Sequence, residues 1–189
     1  MKVGVLALQG AVTEHIESFA ALGVEAVPIR LPSQINGLAA LVLPGGESTT
    51  ISRLMKDFAL LEEVRRLAQQ GFPMFGTCAG LILLAKKVVD FKLDTIGILN
   101  IEVRRNAYGR QVDSFEADLH IDVLGAPPFR GVFIRAPMVE AVGEGVEVLC
   151  QLNGVPVAVR QDKILACSFH PELTEDIRFH KYFLDMIRS

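Results

Sequence analysis

A cysteine flanked by glycines lies where an apolar strand gives way to an apolar helix. The segment GTCAG, residues 76–80, follows the strand-like stretch from Pro73 to Phe75 and precedes LILLA. Its G-x-C-x-G spacing has the form of a nucleophile elbow, in which glycines allow a sharp turn that exposes the nucleophile. The positive end of a helix dipole favours a thiolate there. The pattern predicts a nucleophilic Cys78, and the alternative is a small buried cysteine in a tight turn.

A thiolate nucleophile needs a proton partner, and the segment SFHPE offers one. His170 ends an apolar strand just before the predicted cap of a final helix, and Pro171 favours extended backbone at His170. Glu172, two residues further on, is then expected to face the same side and to accept the Nδ1 proton of His170. Taken alone, this segment is better interpreted as a strand end with a surface histidine. Combined with Cys78, it predicts a Cys-His-Glu triad.

The other three histidines have simpler interpretations. His15 and His180 are assigned to exposed polar faces of the first and last helices, and His120 to the polar side of an alternating strand. No catalytic part is predicted for them.

A second strand-to-helix junction lies in LVLPGGESTT, residues Leu41–Thr50. No lysine follows its glycines, so a phosphate-binding loop is not indicated. Gly45 and Gly46 allow a backbone N–H to approach a substrate oxygen, and the N–H groups of Gly46 and Ala79 together predict an oxyanion hole. The alternative is a plain turn in which Ser48 is the helix N-cap, and this cap is compatible with the oxyanion hole.

The order of elements predicts the scaffold for these residues. Apolar runs that alternate with helices indicate a three-layer, doubly wound, mostly parallel sheet of the flavodoxin-like kind. After Lys87 the chain turns to short β-rich segments with an Asn-Gly hairpin signal in QLNGVP, which predicts additional antiparallel strands in the C-terminal half. The predicted strands are Val3–Leu8, Ala26–Ile29, Ala39–Leu43 and Pro73–Phe75. The predicted helices are Val12–Leu22, a pair over Thr49–Gln70, one opened by Ala79, and a closing helix over Thr174–Ile187.

Composition limits the class of protein. With 189 residues and 50% hydrophobic content, the chain is expected to fold as one domain over residues 1–189. Its 19 basic and 22 acidic residues are nearly balanced, so nucleic acid is not expected as a partner. No apolar run suits a membrane span or a signal peptide. Three scattered cysteines indicate neither disulfides nor a metal site, and a cytoplasmic setting is expected.

The motifs GTCAG, PGGEST and SFHPE, in this order, resemble those of the class I, triad-type glutamine amidotransferases. Over essentially the whole chain, further segments are similar to the glutaminase subunits of pyridoxal 5'-phosphate synthase; these segments are LALQGAVTEH, MFGTCAGLILLA, RRNAYGRQVDSFEADL, VFIRAP and CSFHPELTED. The resemblance implies that Cys78 is the nucleophile, that His170 is the general acid and base, and that Glu172 orients His170.

The same resemblance implies which residues contact glutamine. They are Gly46, Glu47 and Ser48 in one loop, Arg105 in RRNAYG, and Ile134 with Arg135 in VFIRAP. A guanidinium pairs well with the α-carboxylate of a substrate. Arg104, beside Arg105, leaves that assignment open by one residue.

The implied activity is hydrolysis of L-glutamine to L-glutamate and ammonia without a metal or an organic cofactor. The implied partner is a (β/α)8-barrel synthase subunit in a hetero-oligomeric complex, with the LQGAVTEH loop near the site and the partner. Two alternatives stay open: another cysteine hydrolase or a glutaminase that serves a different acceptor, and a non-catalytic, flavodoxin-like binding module.

Overall fold

The computed structural model describes residues 1–105 and 114–188. Its strands are β1 (Lys2–Leu6), β2 (Glu25–Ile29), β3 (Ala40–Leu43), β4 (Met74–Thr77), β5 (Ala85–Val88), β6 (Leu99–Arg104), β7 (Ser114–Leu119), β8 (Phe129–Ile134), β9 (Met138–Val142), β10 (Glu147–Leu152), β11 (Val155–Gln161) and β12 (Ile164–Cys167). Its helices are α1 (Val12–Ala21), α2 (Ser48–Asp57), α3 (Leu60–Gln69), α4 (Ala79–Leu84) and α5 (Arg178–Arg188). Short 3₁₀ turns cover Pro32–Ile35, Asp122–Leu124 and Pro171–Leu173.

A seven-stranded sheet in the order β10-β11-β12-β4-β3-β1-β2 forms the centre of the fold. The five strands from β12 to β2 run parallel, and β11 and β10 continue the sheet antiparallel. Every residue of β3, β4 and β12 is buried, as expected for strands covered on both faces. The predicted doubly wound sheet with added antiparallel strands is confirmed.

Two apolar cores lie on opposite faces of this sheet and make the three layers. Helices α2, α3 and α4 pack on one face together with the small sheet β5-β6-β9. On the other face, α1, α5 and the hairpin β7-β8 pack around a phenylalanine cluster; its members are Phe19, Phe75, Phe129, Phe133, Phe169, Phe179 and Phe183. Successive residues of a strand alternate between the two cores, since Leu41 and Leu43 belong to the first and Ala40 and Val42 to the second.

The Asn-Gly hairpin is confirmed between β10 and β11. Asn153 and Gly154 both have positive φ, at 51° and 81°, as a tight two-residue hairpin requires.

Three local predictions are wrong. The closing helix starts at Arg178 rather than Thr174, because Pro171–Leu173 forms a 3₁₀ turn and Asp176 pairs with the Arg178 side chain and backbone N–H. Ser48, predicted as an N-cap, is the first residue of α2, and the N-cap of this helix is Glu47. Strand β4 continues past Phe75 to Thr77, which brings Cys78 directly to its end.

Among the residues that the structure describes, no helix has both the length and the apolar character that a membrane span requires.

Candidate active site

Four neighbouring strands of the parallel sheet end at one pocket. Gln9 follows β1, Gly46 follows β3, Cys78 follows β4 and His170 follows β12. Parallel strands place their carboxyl ends at the same edge, where open α/β sheets bind ligands. The pocket has a volume of about 340 Å³ and is lined by Gln9, Gly46, Glu47, Ser48, Cys78, Ala79, Ile82, Arg105, Ile134, Arg135 and His170.

Cys78 has a strained backbone at the junction of β4 and α4. Its φ of 49° and ψ of −103° lie outside the regions that a non-glycine residue normally adopts. Its N–H donates to the Cys167 carbonyl at 2.9 Å, and its Sγ lies 3.7 Å from the Ile134 carbonyl oxygen. The hydrogen-bonded frame therefore holds the thiol at the pocket, as the elbow motif predicts.

The glycines around Cys78 serve close packing. A Cβ on Gly80 would lie 1.9 Å from the Leu43 carbonyl oxygen, and a Cβ on Gly76 would lie 2.6 Å from the Gly80 carbonyl carbon. Neither glycine has a positive φ, whereas Cys78 does. The strain of the elbow thus resides in the cysteine itself, and the glycines let α4 approach the sheet.

His170 and Glu172 form a buried hydrogen-bonded pair beside Cys78. The Nδ1 atom of His170 lies 2.7 Å from Glu172 Oε1, and the His170 backbone N–H donates to the Val132 carbonyl at 2.8 Å. Glu172 reaches His170 from the 3₁₀ turn that Pro171 opens, a tighter geometry than the extended chain predicted. Burial by itself would lower the pKa of His170, but hydrogen bonds with Cys78 and Glu172 outweigh burial and raise the pKa to about 10.

The loop after β3 is tied to the loop after β1. The Ala11 N–H donates to the Gly45 carbonyl at 3.0 Å, and the Glu47 N–H donates to Gln9 Oε1 at 2.7 Å. Gly46, between these two contacts, and Ala79, the first residue of α4, both line the pocket beside Cys78. A backbone N–H in the first turn of a helix has no partner within the helix, so that of Ala79 is available to a ligand.

Glu47 caps α2 with its carboxylate. It accepts hydrogen bonds from the Thr49 and Thr50 N–H groups, at 3.1 and 2.7 Å, and from both threonine hydroxyls. Partial burial would raise the pKa of Glu47, but the hydrogen bonds from Thr49 and Thr50 outweigh it and lower the pKa to about 2. Glu47, with its ionised carboxylate, and the adjoining Ser48 both line the pocket.

Two arginines complete the rim of the pocket. The Cζ atom of Arg105 lies 4.0 Å above the Phe91 ring, and its buried Nε has no hydrogen-bond partner among the described residues. Arg104 instead forms an ion pair with Glu140. Arg105, not Arg104, is thus the residue at the pocket, and Arg135 joins it from the turn after β8. The rest of the RRNAYGRQVDSFEADL motif up to residue 113 lies outside the described residues.

The exposed positions predicted for His15 and His180 are wrong. Both histidines are 0% exposed and hydrogen-bonded to each other, with His15 Nδ1 2.9 Å from His180 Nε2. His15 Nε2 also lies 3.1 Å from Thr77 Oγ1. A signal for this burial exists in the sequence, because Val12, Ile16 and Phe19 stand at helical spacing around His15.

Comparisons with known proteins agree over the whole chain. A sequence model of the SNO glutamine amidotransferase family matches residues 5–189. The pyridoxal 5'-phosphate synthase subunit PdxT of Desulforudis audaxviator is 56% identical over 187 residues, 99% of both chains. That of Moorella thermoacetica is 55% identical over 187 residues, 99% of this chain and 100% of the relative. A crystal structure of a glutamine amidotransferase, 52% identical, superposes with a TM-score of 0.94 over 99% of each chain. The chain belongs to the SNO glutamine amidotransferase family.

Proposed function

We propose that this protein hydrolyses the side-chain amide of L-glutamine to L-glutamate and ammonia through Cys78, His170 and Glu172, and that the ammonia passes to a pyridoxal 5'-phosphate synthase subunit. The observation that carries the proposal is the buried pair His170–Glu172, 2.7 Å between Nδ1 and Oε1, beside a strained elbow cysteine at a pocket. Membership of a glutamine amidotransferase family supports the substrate.

The chemistry begins with an ion pair between the Cys78 thiolate and the His170 imidazolium. The raised pKa of His170 keeps the ring protonated at neutral pH. The sulfur attacks the amide carbon, and the N–H groups of Gly46 and Ala79 stabilise the oxyanion of the tetrahedral intermediate. His170 then gives its Nε2 proton to the departing nitrogen. The nitrogen leaves as ammonia, and the acyl group remains on Cys78 as a thioester.

Water completes the cycle by hydrolysing the thioester. His170, now neutral, takes a proton from the water as it attacks, and the collapse of the second intermediate releases glutamate and restores the thiolate. Throughout, Glu172 accepts the Nδ1–H of His170 and fixes the ring with Nε2 toward the sulfur, as the third member of a triad does.

The pocket offers opposite charges for the two ends of glutamine. We assign the α-carboxylate to the guanidinium groups of Arg105 and Arg135, and the α-ammonium to the side of the loop that carries Glu47 and Ser48. Ile134 contributes its backbone beside the sulfur. No organic cofactor or metal enters this scheme.

The partner follows from the chemistry and from the relatives. Free ammonia is protonated and diluted in water, so a glutaminase gains from docking on its acceptor. Relatives that are at least 55% identical carry the name of a pyridoxal 5'-phosphate synthase subunit. We assign the acceptor to a (β/α)8-barrel synthase subunit, and pyridoxal 5'-phosphate is then a product of the complex.

We propose further that residues 1–189 act as one glutaminase domain. The family match over residues 5–189 and the single central sheet, with strands from Lys2 to Cys167, support this.

The test is glutamate release from L-glutamine by wild type and by Cys78→Ala, each alone and with the synthase subunit. We expect release with the partner present and a loss of at least about a thousandfold in Cys78→Ala, because no other group forms the thioester. A glutamine-analogue electrophile should label Cys78 in wild type. Equal activity of Cys78→Ala and wild type, or an unlabelled Cys78, would contradict the mechanism and favour a binding module.

A further inference from the structure

A buried histidine pair adjoins the second oxygen of the Glu172 carboxylate. His15 Nε2 lies 3.5 Å from Glu172 Oε2, and both side chains are 0% exposed. Within the described residues, Glu172 Oε2 makes no hydrogen bond of its own. His15 is linked at its other nitrogen to His180, whose Nε2 lies 2.9 Å from His15 Nδ1. A chain of polar groups thus runs from the proposed triad into the core between α1 and α5.

The contacts select one arrangement of protons. A buried carboxylate that faces a bare ring nitrogen at 3.5 Å would be repelled, so His15 carries its proton on Nε2. His15 Nδ1 is then an acceptor, and His180 donates to it from Nε2. His180 Nδ1, which has no partner among the described residues, is left as an unprotonated acceptor. If His15 carried its proton on Nδ1 instead, His180 would carry its own on Nδ1. That N–H would be buried without a hydrogen-bond partner, which costs more free energy.

A neutral histidine suits this place better than a cation. Burial, followed by the charges of His180 and His170, lowers the pKa of His15 well below its ordinary value. The neutral ring offers Glu172 an N–H dipole without cancelling its charge. The other carboxylate oxygen of Glu172 stays bonded to His170 Nδ1.

His15 also reaches the loop proposed to bind the oxyanion. Its Nε2 lies 3.1 Å from Thr77 Oγ1, and the same oxygen accepts the Gly45 N–H at 3.1 Å. Gly45 precedes Gly46, whose N–H is assigned to the oxyanion hole. One imidazole N–H therefore stands between the carboxylate of the triad and the loop after β3.

We infer that His15, held by His180, is a positioning residue for glutamine hydrolysis: it fixes the orientation of the Glu172 carboxylate and links it to the Gly45–Gly46 loop. The inference rests on the proposed function. The polar and charged groups that face His15 come from every element packed on it: His180 on α5, Thr77 on β4, and Glu172 with His170 at the turn after β12. Of these, Thr77 does not titrate.

The test compares two substitutions with opposite expectations. His15→Leu removes the N–H, and with the synthase subunit present we expect kcat to fall between about tenfold and a hundredfold with KM for glutamine within about twofold. The titration of His170, followed by NMR of ¹⁵N-labelled histidine, should move to lower pH because the Glu172 carboxylate is no longer held in place at Nδ1. His15→Gln restores a donor and should recover most of kcat and of the His170 titration.

Ser18→Ala is the matched control. Ser18 is also buried on α1, but its hydroxyl donates to the Glu14 carbonyl on the same helix and contacts none of the groups at the pocket. We expect wild-type kcat and wild-type His170 titration in this variant. A His15→Leu variant that matches Ser18→Ala in both measurements would overturn the inference.

A measurement on wild type covers the case in which His15→Leu does not fold. The ¹⁵N shifts of the four histidines should show His15 as the neutral Nε2–H form between about pH 6 and 8. An Nδ1–H form or a protonated His15 would overturn the inference without reference to activity. The proposed function fails separately, if wild type with the synthase subunit releases no glutamate.

Discussion

At the scale of single residues, Gly45 is the position where a small change should most directly disturb the proposed chemistry. A Cβ on Gly45 would lie 2.3 Å from His170 Cε1, 2.9 Å from its Nδ1 and 3.3 Å from Cys78 Cβ. The His170 ring cannot move away without loss of hydrogen bonds, because Glu172 binds its Nδ1 and the Val132 carbonyl accepts the His170 backbone N–H. The absence of a side chain at Gly45 is therefore a condition for the alignment of His170 with the sulfur.

We predict that Gly45→Ala lowers kcat by about a hundredfold, since a displacement near 1 Å of a catalytic group has that effect. Glutamate release with the synthase subunit present measures it. Gly71→Ala is the control for stability alone, because Gly71 has a φ of 78° with open space around it and precedes β4, at the end of that strand opposite to Cys78. Wild-type kcat in Gly45→Ala would show that His170 adapts and that the contact is unimportant.

At the scale of elements, α2 depends on an unusual N-cap. Glu47 uses its longer side chain to accept from the N–H groups of Thr49 and Thr50, as a shorter Ser or Asp usually does. Its backbone N–H is bound to Gln9 at the same time. The cap thus fixes both the start of α2 and the loop that carries Gly46.

We predict that Glu47→Ala destabilises the protein by on the order of 1 kcal/mol, the usual loss for a capping side chain. Urea unfolding at pH 7 measures the change. The carboxylate is ionised there because its pKa is lowered from 4.5 to about 2, so the contribution is fully present at neutral pH and is lost progressively as the pH falls from the first value to the second. Glu63→Ala removes the same charge from α3, where Glu63 pairs with Arg66 on the surface, and should change stability little. An equal loss in the two variants would mean that charge, not capping, is responsible.

The elements also show what the sequence could predict. Strands β1 to β4 are short apolar runs, and the helix pair over Thr49–Gln70 has a clear helical period, so their order along the chain and their type were predictable. The fifth parallel strand, β12, lies among the short β-rich segments of the C-terminal half, and its parallel pairing with β4 was not predicted. Strands β5 and β9 were not, because they are short and only partly buried. The start of α5 was missed because a side-chain pair between Asp176 and Arg178 occupies the place of the expected cap.

The site was predictable only where its residues stand in short motifs. Cys78, His170 and Glu172 lie in segments whose local spacing indicates chemistry. The His15–His180 contact joins residues 165 positions apart, which no local pattern reveals. Each of the two histidines stands among apolar residues at helical spacing, and this indicates burial without indicating the partner.

At the scale of the whole molecule, the same histidine pair fastens the first and last helices to the central sheet. His15 on α1 meets His180 on α5, and both pack edge-on against Phe75 of β4. Charging either ring would place a cation in the aromatic core on this face of the sheet, which is unfavourable. The docking of α1 and α5 is thus tied to the neutral state of two side chains whose pKa values burial lowers below the ordinary 6.5.

We predict that this pair makes the protein sensitive to acid. Burial lowers the pKa of His180 from 6.5 to about 4, so between these values the unfolded chain binds a proton that the folded chain does not. Stability must therefore fall as the pH falls through this window, by on the order of 3 kcal/mol from His180 alone.

Urea unfolding of wild type and His180→Phe from pH 7 to pH 4.5 measures the effect, since Phe fills the aromatic site without titrating. The wild type should lose more stability than the variant over this range. Parallel slopes for wild type and His180→Phe would mean that His180 takes up its proton as readily in the folded core as in water, and the docking of α5 would then not depend on its charge.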